Sequence, residues 1–129
     1  STDSGSNYNV TKTTTSFYAW HTESDSVAAL AYATGSDLAQ STAYQLLIAG
    51  NVGDDADQSL AGSMTLFNPS STVFVKHFIS RINTHGATPY SMDNYIAGYG
   101  NTTSAVNAIN FKFDAGNIDD GIIKLYGVK

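Results

Sequence analysis

The sequence predicts an all-β fold, an antiparallel β-sandwich or jelly-roll-like domain of about seven or eight strands. Three observations point to it. Apolar and polar residues alternate through short runs, above all in Thr72–Ile82 and again from Ala105 to the C-terminus. That is the pattern of strands with one dry face and one wet face. Turn dipeptides and tripeptides (Asn-Pro, Gly-Asn, Ala-Gly-Asn, Asp-Gly) interrupt the runs. Charged residues are only 13% of the 129, about half the usual ~25%. Ser, Thr and Asn take their place, and these suit turns and pleated surfaces.

The elements follow in chain order, within a single domain over residues 1–129. Residues 1–14 are polar apart from Tyr8 and Val10 and read as a loose arm. Thr15–Thr22 alternates, with Phe17, Ala19 and His21 on one side and Tyr18 and Trp20 on the other, so it reads as a strand. Val27–Ala33, VAALAYA, reads as a short strand or a single helical turn. Ser41–Asn51 reads as a strand with Tyr44, Leu46 and Ile48 in phase, and Ser63–Asn68 as another, closed by the Asn68-Pro69 turn. Thr72–Ile82 is the strongest strand. Its faces are Val73, Val75, His77, Ile79 and Arg81 against Phe74, Lys76, Phe78 and Ile82. Asn83–Asn94 reads as a long loop because it carries Gly86 and Pro89 among polar residues. Tyr95–Gly100 reads as a strand. Ala105–Phe113 and Ile122–Val128 complete the set, and with Thr72–Ile82 they are expected to supply much of the core.

The net charge of −5 with a pI of about 4.7 argues against nucleic acid, whose phosphates need a basic footprint. Cys is absent, which excludes disulfides and thiolate metal sites. No apolar run is long enough to insert across a membrane. The chain begins at Ser1 without an initiator Met, so it is expected to be processed or to be an excerpt of a longer product.

Residues suited to chemistry are scattered. His21, His77 and His85 show no metal-ligand spacing, and no GxSxG elbow is present. Two acidic loops offer calcium-type oxygens: Asp54, Asp55 and Asp57 in one, Asp114, Asn117, Asp119 and Asp120 in the other. Neither matches an EF-hand, and the plainer reading of both is a solubilising turn. The expectation is a protein that is not an enzyme and needs no cofactor. Aromatic residues hold the binding potential. Trp20 and Tyr99 read as core. His85, Pro89, Tyr90 and Tyr95 read as exposed contacts, in or beside the Asn83–Asn94 loop.

The phrases LFNPSST, KHFIS, AGYGNTTSAVNAI and GNIDDGIIKLYG resemble a family of virion proteins common in marine phages. The resemblance implies a structural protein on the particle surface, in a tail fibre or other appendage or in capsid decoration. Its implied partners are copies of itself, other virion proteins and a host-surface glycan or receptor. The Asn9 and Asn101 sequons imply no glycan on a phage product made in a bacterium. A carbohydrate-binding module outside a virion is the alternative.

Overall fold

A computed structural model, describing residues 1–53 and 55–128, places five strands in one antiparallel sheet. They are β1 (Lys12–Thr22), β2 (Ala28–Tyr32), β3 (Leu60–Leu66), β4 (Lys76–His85) and β5 (Tyr90–Gly100). Their order across the sheet is β2-β1-β5-β4-β3. The first and last strands therefore pair at its centre, and β2 and β3 are its edges. Among the described residues there is no helix.

Local chemistry fixes the hairpins. In the β1–β2 turn the Thr22 hydroxyl accepts from the Ser26 and Val27 amides, both at 3.1 Å. Asp25 takes the left-handed conformation, φ 55°, which a short polar side chain tolerates. In the β4–β5 turn the Tyr90 ring folds against Gly86, where any Cβ would overlap it. At the sheet centre β5 lies close to β1. A Cβ on Gly98 would meet Thr14 Cγ2 at 2.5 Å, so only glycine permits this approach.

Burial alternates along β4 with period two. Lys76, Phe78, Ser80, Ile82 and Thr84 are buried, and His77, Ile79, Arg81 and Asn83 are exposed. The cross-strand register extends the buried side to Met92, Asn94 and Ile96 of β5 and to Thr14 and Ser16 of β1. This covered face holds a small apolar core of Phe78, Ile82, Met92 and Ile96, with polar residues set among them. Asn94 satisfies itself there: its Oδ1 accepts from Ala49 N–H at 2.8 Å and its Nδ2 donates to Ile82 O at 3.2 Å. Lys76 buries its stem and sends Nζ to Phe74 O at 2.6 Å and Thr102 O at 3.3 Å.

The cover over this face is irregular chain. Thr14 Oγ1 donates to Gln45 Oε1 at 2.7 Å, and Gln45 Nε2 donates to Ser36 O at 2.6 Å. The first residues, read as an arm, form a knot in which the Ser1 ammonium donates to Ala108 O at 2.7 Å and Asn7 and Ser1 donate to Asp3.

Four expectations are corrected. Ser41–Asn51 forms no strand, because its Gln45 amide turns back on Ser36 and Leu46 carbonyls and holds the chain curled. The Asn83–Asn94 loop is instead a hairpin: β4 runs through His85, β5 starts at Tyr90, and His85 pairs with Ser91. Ala105–Phe113 and Ile122–Val128 form no strands, since no neighbouring strand accepts their backbone groups. The C-terminal stretch accordingly adds little to the core: Phe111 is 38% exposed and Leu125 90%.

Candidate interaction face

The second face of the sheet lies open. The register aligns Tyr32, Phe17, Tyr95, Arg81 and Ser63 in one row across all five strands. Phe17 and Tyr95 stack with centroids 4.8 Å apart and planes 2° from parallel. On the other flank the Arg81 guanidinium lies 5.0 Å from the Tyr95 ring centre. Arg81 also grips Asp93 in a fork, with Nη2–Oδ2 at 2.6 Å and Nε–Oδ1 at 3.1 Å. The Tyr95 hydroxyl donates to the same Asp93 Oδ2 at 2.8 Å.

These bonds set the titration. The Arg81 hydrogen bonds hold the Asp93 carboxyl below the usual carboxylate range, against an opposing push from partial burial. The bond to Asp93 raises the Tyr95 phenol, and Asp93 likewise raises Arg81. The row is thus charged but internally neutralised, a cross-strand ladder of aromatic and ionic pairs.

Beside the row lies a shallow, mainly apolar trough of about 510 Å³, bordered by Thr13, Phe67, His77, Ile79 and Tyr99 with Ala97 among them. His77 and Tyr99 face each other there at 6.0 Å. On the other side is a smaller hollow of about 350 Å³ between Ala61, Ser63, Arg81 and Asn83.

The structure does not gather the expected contact residues into one place. Tyr95 sits in mid-sheet on the open face. Tyr90 is half-buried at the β4–β5 tip, edge-on to Trp20 at 5.8 Å. Pro89 is exposed, but its carbonyl accepts from Glu23 N–H at 3.1 Å. His85 approaches Glu23 at 3.5 Å. The tip is therefore docked against the β1–β2 turn and does not project. Of the acidic residues, Asp54 lies outside the described residues. Asp55 bonds Gln58 locally, and Asp114 and Asp120 cap the amides of their own successors. Among the described residues, no three His, Asp or Glu come close enough to hold a metal ion. Phe17, Arg81 and Asp93 were not foreseen as partners of Tyr95. The alternation assigns each a face, but only the β1–β5 and β4–β5 registers bring them together.

The C-terminal arm is the other open region. Lys112 lies over the Tyr44 ring at 4.6 Å, and Tyr44 donates to Asn110 at 3.2 Å. Beyond Phe113, the hydrogen bonds among the described residues reach only from Ala115 to Asp114 and from Gly121 to Asp120. Ile122, Leu125 and Val128 are 83, 90 and 95% exposed. The molecule exposes 8583 Å² in all. A monomeric protein of 13.7 kDa is expected to expose about 6,600 Å², so the excess is roughly 2,000 Å².

Together the sheet and its open surfaces define the class, an all-β domain with an uncovered aromatic face. Comparison of the chain with family models, curated proteins and solved structures finds no match.

Proposed function

We propose that this chain is a non-enzymatic structural subunit of a phage particle, displayed on a tail fibre or other appendage or as capsid decoration. It acts in assembly with copies of itself and other virion proteins, and in attachment to a host-surface glycan or receptor. The observation that carries the reading is the surplus of about 2,000 Å² of exposed surface over a monomer of this mass. A surplus of that size per chain is what an obligate interface buries. Large apolar side chains are exposed on the open face (Phe17, Ile79) and along the arm (Ile122, Ile123, Leu125, Val128), where a lone soluble domain seldom leaves large patches. The virion-like phrases in the sequence supply the particle context. In this reading the two-layer sandwich is completed on assembly, when chain from a neighbour supplies strands that the single sheet lacks.

The test has two parts. Light scattering after size exclusion is expected to show self-association that grows with concentration. Quantitative mass spectrometry of purified particles is expected to find the chain, with copies in the hundreds for decoration or far fewer for an appendage. Absence from particles combined with specific binding on a glycan array would replace this reading with the carbohydrate-binding module.

A further inference from the structure

We infer that residues Ile122–Val128 are a donor strand, which adds to the free edge of β3 in a second copy of this chain. This rests on the assembling role proposed above and names its contact.

Four observations meet here. First, β3 has an unused edge. Phe67 N–H donates to His77 O at 2.9 Å and His85 N–H to Ser59 O at 3.0 Å. The odd-numbered residues of β3 therefore face β4, and Leu60, Gly62, Met64 and Leu66 turn their N–H and C=O groups outward. Second, the edge carries none of the usual devices against strand addition. LAGSMTL contains no charge and no proline. Third, its flank is apolar and uncovered. Leu60 is exposed and Met64 and Leu66 only half-buried, so the covered face ends in a shelf that an added strand would continue. The opposite edge, β2, is shorter and presents mainly alanine. Fourth, the arm has the chemistry of the missing neighbour. IIKLYGV is rich in strand-forming residues, its apolar side chains are in water, and its backbone has no partner among the described residues.

A second copy is the occupant because the surplus area matches a chain–chain interface, and because the arm has the length of the strand it would join. Seven residues, 122–128, face a seven-residue β3. Main-chain bonds along such an edge give affinity, and alternate side chains on the shelf give register. The exchange, made reciprocally, closes a two-fold dimer.

Complementation of two variants tests this. One variant is Met64→Pro, which removes an outward-facing N–H of the β3 edge and leaves the bonds to β4 and the arm intact. The other ends after Asp120, which removes the arm and leaves the edge intact. Far-UV circular dichroism and melting temperature confirm that each keeps the sheet. Each alone is expected to run as a monomer where the native chain self-associates. Mixed, they are expected to form a one-to-one complex, since each supplies what the other lacks. Hydrogen exchange in the native chain is expected to protect Ile122–Val128 only at concentrations where it self-associates. If both variants self-associate as strongly as the native chain, the donor-strand contact is wrong while the assembling role stands. If residues 122–128 are protected in a native chain that stays monomeric at every concentration, the arm folds back on its own β3, and both readings fail.

Discussion

The hairpin β4–β5 and the C-terminal arm are written in the same alternating code, yet only one of them is a sheet. In β4 every second residue from Lys76 to Thr84 is buried. In the arm, Ile122, Leu125 and Val128 stand in water. The difference lies in the neighbours. β4 has β5 on one side and β3 on the other, so both sets of its backbone groups are paired. Among the described residues the arm's backbone pairs with no strand of the sheet. Alternation records which face a strand would bury, but hydrogen-bond partners decide whether the strand exists.

The largest expected effect separates two phenylalanines that alternation alone treats as equal. Phe78 is 8% exposed on the covered face, and Phe111 lies in the arm. Phe78→Ala is expected to cost ~3–5 kcal/mol, because it leaves a cavity in a small core. Phe111→Ala is expected to cost under about 1 kcal/mol in the dilute monomer. Urea melts of the two variants check this. Equal losses would break the distinction between sheet and arm.

The same contrast shows what could be read from the sequence. Thr15–Thr22, Ser63–Asn68 and Thr72–Ile82 all overlap observed strands, as their regular alternation predicts. Asn68 closes β3 as a turn residue but departs from the extended backbone that a following proline favours: its φ is 45°, a left-handed value that a short polar side chain tolerates. The β4–β5 hairpin was hidden because its inward positions include Thr84 and Asn94, polar residues that look like loop. The covered face accepts them because Asn94 finds the Ala49 amide and the Ile82 carbonyl, partners remote in sequence. The open-face row was half visible. Tyr95 stood out as an aromatic, but Phe17 and Arg81 join it only through long-range register, which no local pattern encodes.

Asn94 gives the second test, of intermediate size. It is 1% exposed and ties the irregular cover to β5. Asn94→Ala strands the Ala49 amide, whereas the Ile82 carbonyl keeps its ladder bond to the residue-94 backbone amide, and the expected cost is ~1–3 kcal/mol. Amide exchange at Ala49 is expected to accelerate along with the loss of stability. Unchanged protection there would mean that the cover is held by other contacts.

The smallest effect concerns the open face, where the bonds are charged and wet. Asp93 is held below the ordinary carboxylate range by Arg81. Asp3 is held at about 2, first by the Ser1 hydroxyl and then by Asn7. Groups with depressed folded values stabilise the protein above their unfolded values and lose that contribution as pH falls through the folded ones. Stability is therefore expected to slip from about pH 4 downward, and the Asp93 part should shrink in high salt because its ion pair is screened. Tyr95 works in the opposite sense. Its value is raised by the bond to Asp93, so its contribution is complete below about pH 10 and fades as pH rises through the folded value. Urea midpoints across pH measure both limbs. Asp93→Asn is expected to flatten both limbs, since it removes the partner of Arg81 and of Tyr95 together, whereas Tyr95→Phe should flatten only the alkaline one. If Asp93→Asn left the acid limb unchanged, Asp3 and the amino-terminal knot would account for it, and the open-face row would be a surface kept for a partner and contributing nothing to the fold.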